Sequence, residues 1–74
     1  MATNSSKLLI RFGGRVRELR RATGLSQEAF ADRCGLDRTY ISGIERGKRN
    51  VSLENLKVLA KALNVTLSRL LEGL

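Results

Sequence analysis

Apolar residues recur along most of the chain at the three- and four-residue spacing that places them on one side of a helix. No run alternates between apolar and polar residues as a half-buried β-strand would. Short segments rich in glycine or small polar residues separate five such stretches. The pattern therefore predicts an all-α, compact five-helix bundle. Its helices are about Ser6 to Thr23, Gln27 to Cys34, Arg38 to Arg46, Leu53 to Leu63 and Leu67 to Glu72.

Two of these helices carry long apolar stripes that define their inward sides. In the first helix the stripe consists of Leu8, Phe12, Val16 and Leu19. In the fourth it consists of Leu53, Leu56, Leu59, Ala60 and Leu63. We expect these positions to supply most of the core of one domain over residues 1–74. Residues 1–5 are small and polar and are expected to be frayed.

The ends of the helices are marked by residues that favour such positions. Four short polar side chains can accept a free N–H of the following first turn: Ser26, Asp37, Ser52 and Thr66. Three glycines follow helices where a left-handed residue can end them: Gly24, Gly35 and Gly47. Asn64 is a turn candidate in the same sense.

The segment from Ser26 to Arg46 is organised as a helix, a tight turn and a second helix. On the second helix Ile41 and Ile44 face inward. The remaining side is expected to face outward and carries Arg38, Thr39, Ser42, Gly43 and Arg46. A short helix held by one apolar edge, with arginine and hydroxyl groups outward, suits insertion into the major groove of DNA.

Two charged residues interrupt the inward sides of the helices. Arg20 lies one turn beyond Val16 on the first helix, and Glu45 lies one turn beyond Ile41 on the third. Charges near a core need partners, so we expect Arg20 and Glu45 to form an ion pair that joins the two helices. The alternative is that each side chain extends to water.

Composition narrows the class of partner. Fourteen Lys and Arg against seven Asp and Glu give a net charge of +7, which favours a polyanion. The absence of histidine and the single cysteine, Cys34, make a metal site implausible, and Cys34 is expected to be a core residue. Neither a signal peptide nor a stretch long enough to span a bilayer is evident, so a cytoplasmic location is expected.

The run SQEAFADRCGLDRTYISGIERGKRNVSLENLKVLAKAL, preceded by RVRELRRATGL, resembles the helix-turn-helix core of phage-repressor and Cro-type DNA-binding proteins. The resemblance covers about residues 10–72. Within that family, DRTYISGIERGKRN is most similar to the controller proteins of restriction-modification systems. The resemblance implies a homodimeric transcriptional regulator that binds near-palindromic operators upstream of its own gene and times expression of the endonuclease.

The same resemblance implies roles for individual residues. Arg38 and Thr39 match positions that reach base edges, and Gln27 matches a glutamine that binds a backbone phosphate. Ser42 and Gly43 line the outer side of the same helix as Arg38 and Thr39. Gly43 has no side chain where relatives often place a base-reading residue, so specificity is expected to depend partly on DNA shape. Further contacts to phosphates or the groove edge are expected from Tyr40, Arg46, Asn50, Ser52, Lys48 and Arg49.

A second, narrower apolar stripe, with leucines of the last helix, is a candidate dimer interface. Its members are Val58, Ala62, Val65, Leu67, Leu70 and Leu71. The alternative is that the stripe only cushions the last helix. No cofactor, metal or small-molecule effector is expected.

Other functions fit the sequence less well. An antitoxin-like or adaptor protein that binds a protein partner could use the same helices. RNA binding is weaker because single-strand readers need stacking aromatics, and only Phe12, Phe30 and Tyr40 are aromatic. An enzyme is the least favoured class, because no histidine, carboxylate pair or phosphate-binding glycine loop is present.

Overall fold

The computed structural model describes residues 5–74, with side chains from residue 7 onward. The described range contains five helices and no strand: α1 (Ser5–Ala22), α2 (Gln27–Cys34), α3 (Arg38–Glu45), α4 (Leu53–Ala62) and α5 (Leu67–Leu70). The five-helix fold is therefore confirmed. Of the segment expected to fray, residues 1–4 lie outside the described range and Ser5 is already helical. None of the helices in residues 5–74 is long and apolar enough to cross a membrane.

The core lies among the five helices: α3 packs on α1 and α2, α4 packs on α2 and α5, and α5 also contacts α1. Its fully buried side chains include Val16, Phe30, Ile41, Ile44, Leu59 and Leu70. Burying one such side chain contributes about 1.5–3 kcal/mol. Ile41 and Ile44 are both inward, as the sequence predicts. They fix the rotation of α3 about its own axis and so determine which of its residues can face a ligand.

The turn between α2 and α3 depends on one glycine. Gly35 has φ +71°, a left-handed backbone conformation that is strained for a residue with a Cβ atom but not for glycine. The amides of Gly35 and Leu36 donate to the carbonyls of Asp32 and Ala31 at 3.1 and 3.0 Å. The carbonyls at the end of α2 are thereby satisfied, and α3 begins after three intervening residues.

Three of the four expected N-caps form side-chain bonds. The hydroxyls of Ser26, Ser52 and Thr66 accept the backbone N–H three residues ahead at 3.0, 3.1 and 3.0 Å. Asp37 occupies the N-cap of α3 but makes no such bond, and the prediction for its side chain is wrong. Its carboxylate instead accepts a hydrogen bond from the Thr39 hydroxyl at 2.5 Å and does not bond the free backbone N–H groups of α3.

Helices α1 and α3 cross at Gly13. A Cβ atom at this position would lie 2.3 Å from the Ile44 carbonyl oxygen and 2.7 Å from that of Glu45. Only a residue without a side chain permits this approach of two backbones. The glycine that looks unfavourable inside a helix is therefore required by the packing of α3.

Two apolar residues of the expected core are exposed. Leu8 and Leu53 retain 53% and 76% of their accessible surface, so their assignment to the core is wrong. Each lies in the first two turns of its helix, where the apolar stripe continues past the neighbouring elements. Ile10, two residues after Leu8 on α1, also retains 57% of its accessible surface.

The C-terminal turn is attached to α1 by two arginines. Arg11 donates to the carbonyl of Gly73 at 2.8 Å, and Arg15 donates to the carbonyl of Arg69 at 2.6 Å. The Arg69 carbonyl also accepts the Glu72 amide at 3.2 Å, so Arg15 adds a second hydrogen bond to it from α1. The last helix is thereby held against the first.

Candidate nucleic-acid interface

Helix α3 presents an exposed polar side opposite its buried isoleucines. Arg38 and Thr39 in its first turn are exposed, Ser42 is half-buried, and Arg46 is exposed directly after its end. The Thr39 hydroxyl is oriented by its bond to Asp37. The helix therefore offers a guanidinium and hydroxyl groups at its N-terminal end.

The orientation of α3 is set by a buried ion pair. The Arg20 Nε and Nη2 atoms donate to the two carboxylate oxygens of Glu45 at 2.6 and 2.9 Å. The Arg20 side chain keeps 9% of its accessible surface and that of Glu45 keeps 2%. The hydrogen bond to Glu45 raises the pKa of Arg20. The pair expected from the two charged interruptions is present, and it fastens α1 to the last turn of α3.

Gln27 connects this pair to the exposed end of α3. Its amide nitrogen donates to the Glu45 carboxylate at 3.0 Å, and its amide oxygen accepts from Arg38 at 3.4 Å. Both ends of the Gln27 amide are thus engaged within the protein. The sequence indicates the importance of Gln27, but it does not show that one amide would link Arg38 to the buried carboxylate.

Tyr40 lies half-buried between α3 and α4. Its hydroxyl accepts a hydrogen bond from the Asn55 amide at 3.1 Å, and the guanidinium carbon of Arg49 lies 5.3 Å from the ring centroid. The distance to Arg49 is that of a cation–π contact. The sequence does not identify Asn55 as a partner of Tyr40, because nothing in the local pattern distinguishes it from the other polar residues of α4.

The expectation that Gly43 forms part of the exposed side is wrong. Gly43 is buried beneath the side chain of Arg49, whose Cγ would lie 2.9 Å from a Cβ atom at position 43. The reason is that a glycine on a helix leaves a gap, and the long side chain of the following loop fills it. The surface at this point belongs to Arg49.

The loop between α3 and α4 extends the basic surface. Lys48, Arg49, Asn50 and Ser52 are all exposed. None of the cations Arg38, Arg46, Lys48 and Arg49 forms an ion pair with a carboxylate of residues 7–74. An uncompensated positive surface next to the exposed side of α3 is what phosphate binding requires.

The residues expected to form a dimer interface divide between core and surface. Leu70 is completely buried and Ala62 retains only 7% of its accessible surface, so neither can contact a partner in this conformation. Both are occupied by the packing of α4 and α5 on the rest of the fold. Val58 and Val65 are half-buried, whereas Leu67 and Leu71 are exposed.

A separate apolar groove of 390 Å³ lies where α1, α4 and the C-terminal turn meet. Its apolar lining consists of Leu8, Leu9, Phe12, Val51, Leu56, Leu71 and Leu74. Asn50, from the exposed basic loop, borders the same groove. The groove is thus continuous with the basic surface.

Cys34 is half-buried and packs against the core. Burial raises the pKa of its thiol to about 11. A thiol that stays protonated at neutral pH is a poor nucleophile.

Comparison with known proteins agrees with this arrangement. The helix-turn-helix family model matches residues 16–70. The control protein C.MunI of a Mycoplasma species is 56% identical, over 82% of this chain and 84% of its own length. The crystal structure of the restriction-modification controller protein C.AhdI from Aeromonas hydrophila is 53% identical, covers 89% of this chain and 96% of its own, and superimposes with a TM-score of 0.86.

A third match is the structure of SinR, a master regulator for biofilm formation, in complex with DNA. It is 31% identical, covers 82% of this chain and 98% of its own, and has a TM-score of 0.78. The matches to the two control proteins cover 82% and 89% of this chain and 84% and 96% of the relatives' own length. The chain therefore belongs to the helix-turn-helix family of DNA-binding transcriptional regulators and, within it, to the controller proteins of restriction-modification systems.

Proposed function

We propose that the chain acts as a homodimer that binds a near-palindromic operator upstream of its own gene and regulates expression of a restriction-modification system. The observation that carries the proposal is the exposure of Arg38 and Thr39 on a helix whose opposite side, Ile41 and Ile44, is buried. A helix held in this way can enter the major groove without rearrangement of the core.

Base recognition is assigned to the first turn of α3. Arg38 can donate to O6 and N7 of one guanine, and such a bidentate contact discriminates by about 1–3 kcal/mol. Thr39 lies beside it with a hydroxyl already oriented by Asp37. Because Gln27 joins Arg38 to the buried pair, the direction of the Arg38 guanidinium is restricted before DNA binds. Ser42 follows one turn later on the same side.

Phosphate binding is assigned to the residues that flank this helix. Their shared property is exposure without an internal carboxylate partner, and they are Arg46, Lys48, Arg49, Asn50 and Ser52. Gln27, whose amide nitrogen has a second N–H besides the one that binds Glu45, and Tyr40 complete the set at the groove edge. A dimer that makes 6–10 phosphate contacts should weaken by about 10³–10⁵ between 50 and 200 mM salt. A salt slope near zero would contradict this assignment.

The dimer is assigned to the apolar groove and the leucines beside it. The half-buried Leu56 and the exposed Leu71 and Leu74 line the groove, and exposed Leu53 precedes Leu56 by three residues on the same side of α4. Because Asn50 borders the groove and belongs to the basic loop, a two-fold axis at the groove would bring the basic loops of the two copies beside it. Recognition helices about 34 Å apart would then face successive major grooves.

The DNA-binding proposal is tested by gel shift and footprinting on the DNA upstream of the gene. We expect a protected near-palindromic site, and loss of operator preference in Arg38→Ala without loss of helicity. The matched control is Arg33→Ala, which removes the same charge near Val58 and Ala62, in the groove between α2 and α4. Equal losses in the two variants would show that only net charge matters.

The dimer is tested by sedimentation equilibrium. Leu71→Lys places a charge at the exposed groove edge, and we expect it to yield monomers and to weaken operator binding. Leu67→Lys, at a leucine of similar exposure outside the groove lining, is the control. Dissociation by the control and not by Leu71→Lys would place the interface at Leu67 and not at the groove.

A further inference from the structure

The chain turns back on itself directly after α5, over residues 71–74. Gly73 has φ +86°, a left-handed conformation, and the amide of Leu74 donates to the carbonyl of Leu71 at 3.2 Å. A Cβ atom at Gly73 would meet nothing within 4 Å, so the glycine serves the turn of the backbone and makes room for no neighbour. We call residues 71–74 the leucine hook.

The leucine hook brings two apolar side chains to the groove between α1 and α4. Leu71 and Leu74 both line this groove, and they retain 38% and 40% of their accessible surface. The rest of the apolar lining comes from α1, α4 and Val51. Whole helices hold most of that part in place, whereas a turn of four residues has few contacts of its own. The shape of the groove therefore depends on what holds the hook.

One side chain of α1 binds the hook from outside the groove. The Arg11 Nη2 atom donates to the carbonyl of Gly73 at 2.8 Å, and Arg11 is not among the residues that line the groove. Arg15, one turn later, binds the carbonyl of Arg69 within α5 and lies 3.5 Å from the carboxylate of Glu72. Arg15 thus attaches the helix, and Arg11 attaches the hook that follows it.

We propose that Arg11 is a positioning residue for dimerisation, because its bond to Gly73 holds the leucine hook in the conformation against which a second copy packs. The inference rests on the proposed dimer at the groove and assigns part of its affinity to a residue outside the contact. A segment that is already ordered loses less conformational entropy on binding than one that is ordered only at contact. Each copy of a two-fold dimer contributes one hook, so the effect of the bond counts twice.

The charge of Arg11 allows the sign of the effect to discriminate between two explanations. The chain carries a net charge of +7, so two copies repel each other, and removal of a cation should by itself strengthen the dimer. Loss of the bond to Gly73 should weaken it. Arg17 is the matched control, because it is an exposed arginine of the same helix that does not line the groove and forms no ion pair with a carboxylate of residues 7–74.

The test measures the dimer dissociation constant of the full chain by sedimentation equilibrium, with circular dichroism to record helicity and the unfolding midpoint. We expect Arg11→Ala to raise the dissociation constant by about tenfold, because a charge-assisted hydrogen bond is lost in each copy. Arg17→Ala should leave the constant unchanged or lower it. Arg11→Lys should restore most of the affinity, because an ammonium group can donate to the same carbonyl.

Two further variants test the leucine hook itself. Leu74→Ala should weaken the dimer, and Arg11→Ala should then have little additional effect, because the side chain that it positions is gone. Gly73→Ala should also weaken the dimer, since alanine disfavours the left-handed turn although there is space for its methyl group. Gly73→Ala leaves α1 unchanged, so it remains informative if Arg11→Ala reduces stability.

Several results would overturn the inference. An Arg11→Ala variant that dimerises as tightly as the parent, or more tightly, would show that only charge matters. Full additivity of Arg11→Ala and Leu74→Ala would show that Arg11 acts independently of the hook. A monomeric parent, or a dimer unaffected by both Leu71→Lys and Leu74→Ala, would refute the proposed groove dimer together with this inference. A dimer that Leu74→Ala weakens and Arg11→Ala does not would refute this inference alone.

Discussion

The crossing of α1 and α3 gives the sharpest stability test, because two adjacent glycines have opposite surroundings. A Cβ at Gly13 would lie 2.3 Å from the Ile44 carbonyl oxygen, whereas a Cβ at Gly14 would meet nothing within 4 Å. Gly13→Ala and Gly14→Ala are therefore the same chemical change at neighbouring positions of one helix. The difference between them isolates the contact with α3.

The expected magnitudes follow from two opposing effects. Replacing glycine by alanine inside a helix stabilises it by about 1 kcal/mol, and this gain applies to both variants. At Gly13 the methyl collides with backbone atoms that can move only with the whole of α3, so the cost lies at or above the upper end of the usual 1–3 kcal/mol for overpacking. Gly13→Ala should therefore be destabilised by about 2 kcal/mol and Gly14→Ala stabilised by about 1 kcal/mol.

Both values are measurable by thermal unfolding followed by far-ultraviolet circular dichroism. For a domain of this size 1 kcal/mol corresponds to about 4–8 °C, so the two midpoints should differ by more than about 10 °C. Operator binding of folded Gly13→Ala should also decrease, because relief of the collision tilts α3. Equal stability of the two variants would refute the argument that this crossing requires glycine.

Three further expectations follow from single contacts. Glu45→Ala should lower the free energy of unfolding in urea by about 3 kcal/mol, because it leaves Arg20 buried without its partner; a loss below about 1 kcal/mol would show that water reaches the pair. Ser52→Ala should cost about 1 kcal/mol in the same assay, because the Asn55 amide loses its cap, and an unchanged midpoint would count against that bond. Burial raises the pKa of Cys34 from 9.0 to about 11, so the folded state retains a proton that the unfolded chain releases. The contribution of Cys34 to the free energy of unfolding is therefore complete below pH 9.0 and decreases as the pH rises towards 11. A titration of thiolate absorbance with a midpoint near pH 9.0 in the folded protein would contradict this expectation.

The local sequence pattern determined the helices and one long-range contact. The caps and glycines gave helix bounds within two residues of those observed. The pairing of Arg20 with Glu45 was also accessible, because two charges on inward sides of neighbouring helices have few other partners. Such features depend on periodicity and on the cost of burying a charge, which a single sequence expresses directly.

Other features depend on where neighbouring elements end, which periodicity does not encode. Leu53 continues an apolar stripe but is exposed, and Leu70, which the pattern predicts at a dimer surface, is buried in the core. The pattern places Gly43 on the exposed side of α3, because nothing in the sequence shows that the Arg49 side chain covers it. Each error concerns the relative placement of segments distant along the chain or joined by a loop.

The bonds from Arg11 and Arg15 to the carbonyls of Gly73 and Arg69 connect positions 62 and 54 residues apart. Helix α5 has only four residues, too few for an isolated helix to persist in water. Its survival thus depends on α1, at the opposite end of the polypeptide. Amide hydrogens of α5 should exchange with solvent only through openings that also release α1, which makes the shortest helix a reporter of cooperative unfolding.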